Sequence, residues 1–301
     1  MKNRKLILGL VLAGIVLAGG IFFFAAGRNR SDSEGTIRVG SKDFTENLLV
    51  SEIYALALED AGYDVERVAN ISSSLIHDSL VNDEIDLYPE YTGTGLLTIL
   101  SEEMQTDPQK VYDTVKKEYA DQFNLTWLDY AQANDSQGLV IRTAVAKELG
   151  IATISDLQKH APELRFASQG EFDQRDDGLP GLKKTYGDFN WKSSNVYDNS
   201  LKYSILESDE ADVTPAYTTE GQLVNTDQFT LLEDDKQFWP PYNLAPVVRD
   251  NILEENSDIE TILNKISASL DTETVTELNA QVDVEGKEYT DVAKEYYDSL
   301  K

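Results

Sequence analysis

The amino-acid sequence predicts an α/β protein of two lobes, each built on a mostly parallel sheet. Three observations carry that expectation. The stretch "DEIDLYPEYTGTG" at residues 83–95 returns as "DEADVTPAYTTEG" at 209–221, sharing Asp83/Asp209, Glu84/Glu210, Asp86/Asp212, Pro89/Pro215, Tyr91/Tyr217, Thr92/Thr218 and Gly95/Gly221. The echo extends upstream, where "TIRVGSKDF" (36–44) is mirrored by "ELRFASQGEF" (163–172). Each half also alternates short strand-like runs with helical periodicity, the order that winds a parallel sheet. A motif at the carboxyl end of equivalent strands sits where open α/β sheets bind ligands. Two facing lobes therefore bring Tyr91 and Tyr217 to one cleft from opposite sides.

In chain order, residues 2–5, "KNRK", are basic, and Leu6 to Gly27 is an uncharged run of 22 residues. At about 1.5 Å per residue this run spans about 33 Å, enough for the hydrocarbon core of a bilayer. The apolar region of a secretory signal is usually about 7–15 residues, so length favours a retained single-pass anchor over cleavage near Ala25-Ala26-Gly27. The basic residues ahead of the span favour a cytoplasmic N terminus and place the rest of the chain outside the cell. Residues 28–36, "RNRSDSEGT", read as a short polar linker.

The strand in "TIRVGSKDF" is followed by Thr45, expected to cap a helix whose apolar face is Leu49, Ile53, Leu56 and Ala57 and which ends at Gly62. "DVERVAN" reads as a second strand, 72–82 as a helix, and 86–88 as a third strand. "QGLVIR" (137–142) reads as a strand going out to a second lobe and "NLAPVVR" (243–249) as one returning. These crossings assign 37–136 with 249–301 to lobe 1, and 137–248 to lobe 2. The helical segments "IETILNKISASL" and "TVTELNAQV" then pack back on the first lobe.

Composition narrows the function. With 54 acidic against 26 basic side chains and a formal net charge of −28, the chain repels phosphate backbones, so nucleic acid is a poor partner. There is no cysteine, which removes disulfides, thiolate metal sites, a cysteine nucleophile and a lipid-modified cysteine. The two histidines, His77 and His160, have no metal spacing and read as surface or satisfied structural residues. No nucleophile elbow, phosphate-cradling glycine loop or dinucleotide fingerprint is present, and "EFDQRDDG" at 171–178 lacks the ligand alternation of a calcium loop. The chain reads as a binding protein without a cofactor, not as an enzyme.

Tyrosine is abundant, with 15 residues. Tyr54, Tyr112, Tyr119, Tyr296 and Tyr297 read as packing. Tyr91 and Tyr217 differ, because each follows Pro-x at a strand end. Aromatic faces opposed across a cleft suit a quaternary ammonium, which no hydrogen bond can hold, each face offering about 0.5–2 kcal/mol. Lys42 and Arg175, one after each paired upstream strand, suit an anionic end such as a carboxylate.

Together "GSKDFTEN" (40–47), "IDLYPEYTGTGL" (85–96), "RDDGLPGLKKTYG" (175–187), "AYTTEG" (216–221) and "FWPPYNLAPVV" (238–248) resemble the extracellular glycine betaine/carnitine/choline-binding proteins of osmoprotectant ABC importers. The resemblance runs from about residue 36 to the end. It implies a two-lobe, periplasmic-binding-protein-like fold of type II, preceded here by the N-terminal transmembrane helix. It implies a tyrosine cage containing Tyr91 and Tyr217, carboxylate-binding positions at Lys42 and Arg175, and at Thr94 a residue that tunes choline against betaine. Asp135 is kept in "ANDSQGLV" (133–140), where Gln137 replaces a cage tyrosine, and the fourth aromatic falls to Tyr197. The implied partners are a small zwitterionic or cationic amine, permease and ATPase subunits, and the membrane, with the apolar N-terminal segment doing the work of a lipidated cysteine. The alternative is a two-lobe receptor for a different small amine or betaine-like ligand, without an osmoprotective role.

Overall fold

The computed structural model describes residues 35–170 and 172–301. The expected membrane segment lies outside them, and among the described residues no helix is long and apolar enough to cross a membrane. The described residues form ten strands: β1 Ile37–Lys42, β2 Val65–Ile71, β3 Leu87–Tyr91, β4 Leu125–Trp127, β5 Gln137–Arg142, β6 Arg165–Ser168, β7 Ser193–Val196, β8 Val213–Tyr217, β9 Phe229–Leu231 and β10 Leu244–Arg249. They form two five-stranded sheets, ordered β2-β1-β3-β10-β4 and β7-β6-β8-β5-β9.

The two orders are the same order. β3 and β8, which carry the repeated motif, are the central strands, with the parallel β1 and β6 on one side of them and β10 and β5 on the other. The sheets are mixed rather than mostly parallel, because β10 runs antiparallel to β3 and β4, and β5 antiparallel to β8 and β9. The reason is where the chain changes lobe. It enters each sheet beside the carboxyl end of the motif strand, so Leu244 opposes Tyr91 and Gln137 opposes Tyr217. From there it can only run away from that end. β10 therefore belongs to the first sheet, whereas the sequence-based boundary at 248/249 left most of it with lobe 2.

The repeated acidic turn has an architectural cause. Asp86 accepts the backbone N–H and Nε of Arg38 on Oδ2 at 2.8 and 3.0 Å, and on Oδ1 it accepts Arg38 Nη2 at 2.6 Å and Arg249 Nη1 at 3.1 Å. Asp212 does the same for the backbone N–H and Nε of Arg165, both at 2.9 Å, for Arg165 Nη2 at 2.7 Å and for Arg142 Nη2 at 2.8 Å. One carboxylate thus ties the upstream strand and the crossing strand to the motif strand in each lobe. Asp83 and Asp209 both take left-handed conformations, φ 64° and 60°, at the turn before it. A short polar side chain tolerates that conformation better than a bulky one.

The helix Thr45–Asp60 is the axis of the first core. Leu49, Val50, Ile53, Tyr54, Ala55 and Leu58 are all buried, so it is covered on nearly every side rather than along one stripe. Helices Ile259–Ser267, Thr272–Asp283 and Tyr289–Ser299 supply the cover. Thr45 is the first helical residue and not its cap; its hydroxyl donates to Asp283 Oδ1 at 2.6 Å, while the preceding position, Phe44, offers no capping bond. Past the helix Gly62 takes φ 91°, the termination expected of it. The second core gathers Leu139, Ile141, Ile154, Phe166, Leu182 and Val213.

Tyr54, Tyr112 and Tyr119 are buried packing residues. His77 is not at the surface. It is wedged edge-on against Tyr119 and Phe123 with ring centroids 5.3 and 4.7 Å away, and its Nδ1 has no hydrogen-bond partner. Burial lowers its pKa and keeps it neutral.

Candidate functional site

The site is assembled where the chain passes between sheets. The crossing segments, around 134–136 and 240–243, pair with each other: Asn134 bridges Asn243, Asp135 N–H donates to Tyr242 O at 3.1 Å, and Tyr242 N–H donates to Asn134 Oδ1 at 2.6 Å. Thr218, in the repeated motif, anchors the same segment by donating its hydroxyl to Asn134 O at 2.6 Å and accepting Ser136 N–H at 2.9 Å. Beside these strands lies a cleft of about 700 Å³, a size that suits a small organic molecule.

Lys42, Tyr91, Thr94, Asp135, Gln137, Arg175 and Tyr217 all line this one cleft. Tyr197 does not. It directly follows the edge strand β7, donates its N–H to Ser168 O at 2.9 Å, and packs its ring behind the sheet on the cluster of Val140, Ala167, Ile205 and Phe229. The structure adds Phe44, Glu46, Lys202, Tyr203, Glu220, Tyr242 and Asn279 to the lining. Glu46 and Tyr242 lie inside the motifs "GSKDFTEN" and "FWPPYN", so proximity to the motif was their signal. Asn279 had none, because it comes from a C-terminal helix that reads only as packing.

The two repeated tyrosines are placed differently. Tyr91 is 3% exposed, stacks on Phe44 with centroids 6.1 Å apart, and donates its hydroxyl to Glu46 Oε1 at 2.9 Å. Tyr217 is 40% exposed. A lysine ammonium lies near each ring, Lys42 at 5.0 Å from the Tyr91 centroid and Lys202 at 5.8 Å from that of Tyr217.

Every cation of the cleft has its own carboxylate. Lys42 is buried and bonded to Glu90, which also accepts Tyr88 OH at 2.9 Å and Tyr91 N–H at 2.8 Å. Lys202 is bonded to Glu220, which Tyr203 also approaches. Arg175 holds Asp177 through Nε at 2.7 Å, and Gln137 Nε2 donates to the same carboxylate at 2.6 Å. The Gln137 amide therefore has a partner. The ammonium of Lys42, expected to meet an anionic ligand end, is already matched by Glu90.

Glu46 and Asp135 remain. Neither forms an ion pair with a described residue, and nor does the exposed Asp283 at the rim; Glu46 is buried in the cleft wall and Asp135 half-buried. Burial pushes the Glu46 carboxyl up, against hydrogen bonds from Thr219, Tyr91 and Asn279. Burial, and then the Glu46 charge, push Asp135 well above the usual carboxylate range. A cleft with aromatic walls and two unmatched acids is suited to a positive ligand.

Comparison with known proteins gives the same direction. The family model described as the substrate binding domain of an ABC-type glycine betaine transport system matches residues 35–299. The carnitine transport binding protein OpuCC of Listeria monocytogenes is 33% identical over 268 residues, covering 88% of this chain and 86% of that one. An ergothioneine transport permease/ergothioneine binding protein of Helicobacter pylori is 33% identical over 270 residues, which are 89% of this chain and 48% of that longer protein. A solved structure of a glycine betaine/carnitine/choline ABC transporter superposes with a TM-score of 0.82 at 28% identity, covering 87% of this chain and 98% of that one. The chain belongs to the family of substrate-binding domains of ABC-type glycine betaine transport systems.

Proposed function

We propose that the protein captures a small quaternary ammonium compound of the glycine betaine, carnitine or choline type between its lobes and delivers it to an ABC permease powered by ATPase subunits. The observation that carries this is the pairing of aromatic rings with Glu46 and Asp135, two inward acids without a basic partner, in one cleft. Tyr91, Tyr217 and Tyr242 face the trimethylammonium group, and Glu46 and Asp135 supply the counter-charge. Arg175, paired with the Asp177 carboxylate that Gln137 also bonds, meets an anionic end where the ligand has one, and Thr94 contacts the ligand's tail. Lys42 acts indirectly, by fixing Glu90 behind Tyr91. Tyr197 is left out of this set because its ring packs behind the sheet.

The lobes divide at the crossings near 135 and 242, which serve as the hinge. Residues 1–27 hold the protein at the membrane and 28–36 tether an extracellular body, a reading that rests on the length of the uncharged run. Titration calorimetry with glycine betaine, carnitine, choline and ergothioneine tests the binding function. A protein that binds none of them at millimolar concentration does not have it.

A further inference from the structure

Asn279 sits on the helix Thr272–Asp283, is 4% exposed, and reaches the cleft. Its Nδ2 donates twice, to Glu46 Oε2 at 3.0 Å and to the backbone carbonyl of Thr219 at 2.8 Å. The Thr219 carbonyl can only accept, so turning the amide over would set oxygen against oxygen there. The orientation is therefore fixed by the network. Its consequence is that Asn279 Oδ1 is buried and has no hydrogen-bond partner among the described residues.

An orphaned buried acceptor is uncommon in a folded protein. Here it is linked to both acids: Thr219, whose carbonyl takes the amide, gives its hydroxyl to Asp135 Oδ1 at 2.6 Å, and the two oxygens of Glu46 take Tyr91 and Asn279. With both acids ionised, as a bound cation favours, this corner offers acceptors, and the donors of Tyr91, Thr219 and Asn279 are already used within it. A trimethylammonium group has no N–H to give, and a carboxylate brings only further acceptors. Neither end of glycine betaine satisfies Asn279 Oδ1.

We infer that the ligand is a quaternary ammonium compound carrying an O–H or N–H donor, that this donor is received by Asn279 Oδ1, and that Asn279 is a specificity-determining residue. The inference rests on the quaternary ammonium reading above and narrows it. A fully methylated, donor-free betaine fits the aromatic walls but leaves the amide oxygen unpaired. A site built to hydrogen-bond a ligand donor rejects the analogue that lacks it, because the protein group is then stranded.

The test uses pairs that differ in one donor: choline and its O-methyl ether, carnitine and its O-methyl ether, ergothioneine and its ring-N-methylated form. Each is titrated by calorimetry against the wild-type protein and against Asn279→Ala, with circular dichroism checking that the variant is folded. In at least one pair the donor-bearing member binds wild type at least about tenfold more tightly, and the gap shrinks to about twofold or less in Asn279→Ala. Equal binding within the pairs to wild type overturns the inference and leaves quaternary ammonium recognition standing. Discrimination that survives Asn279→Ala unchanged removes the role of Asn279. Binding of no member of any pair overturns the reading beneath it as well.

Discussion

The Gln137 side chain donates to Asp177 Oδ2 at 2.6 Å, joining the first residue of a crossing strand to the loop that presents Arg175. The amide is thereby engaged in positioning a charge pair.

Gln137→Leu removes a hydrogen bond to a charged group, about 1.5–3 kcal/mol of local stability, and frees Asp177 and Arg175 to shift. Calorimetry on the variant should show carnitine and glycine betaine weakened more than choline, which has no carboxylate for Arg175. Equal losses for all three would mean that the Arg175–Asp177 pair is structural.

Tyr91→Ala and Tyr217→Ala should each weaken binding of a quaternary ammonium by about 1–3 kcal/mol. Their effects on stability separate them. Tyr91 is buried and bonded to Glu46, so its truncation costs about 3–5 kcal/mol of folding free energy. Tyr217 is 40% exposed, and its variant should melt near the wild-type temperature.

Asp86 and Asp212 hold equivalent arginine pairs in separate sheets with no shared partner. Asp86→Asn and Asp212→Asn should each cost about 2–4 kcal/mol, less than a fully buried pair because the arginines are part-exposed. The double variant should lose the sum, which urea unfolding can measure. Burial raises the Asp212 pKa, but the bonds from Arg165 and Arg142 outweigh it and hold the carboxyl at about 2. A depressed folded-state pKa stabilises above the ordinary aspartate value and loses that contribution as pH falls through about 2.

Glu46 and Asp135 have the opposite sign. Their folded-state pKa values are raised, so the folded protein holds more protons than the unfolded chain above the ordinary carboxylate range. Their contribution to stability is greatest below that range and is lost as pH rises through the raised values. Affinity for a cation moves the other way, strengthening over the same span as the acids ionise. Lys42 and Lys202 on the neighbouring elements temper both effects, and Glu220 adds to the rise at Asp135. Binding should release protons, seen as a buffer-dependent heat in calorimetry; no dependence on buffer would refute the assignment.

Gly221, the last residue of the repeated motif, packs on the helix Thr272–Asp283. A Cβ there would meet Ala280 N at 2.6 Å and Ala280 Cα at 2.7 Å, both rigid backbone. Gly221→Ala should cost about 1–3 kcal/mol through overpacking. Because this loop belongs with the second sheet and the helix packs on the first core, the wedge should also hold the lobes apart. Scattering on the ligand-saturated variant should give a larger radius than saturated wild type.

The repeat was legible because its causes are local. A left-handed turn at Asp83 or Asp209, a carboxylate at the strand entry and a Pro-x-Tyr exit are written in consecutive residues, and period and turn chemistry reveal them. The strands β1 and β5 likewise follow from the amino acids alone. What the sequence could not state was which distant group each cleft side chain would meet. Lys42 is matched by Glu90 48 residues away, Gln137 by Asp177 40 residues away, and Glu46 by Asn279 233 residues away. Those pairings depend on the chain crossing between sheets twice and on the C-terminal helices returning to the first lobe. Aromatic walls follow from local motif, whereas the charge left over in the cleft, and so the ligand it attracts, is decided only when the tertiary structure has paired Lys42, Arg175 and Lys202 with Glu90, Asp177 and Glu220.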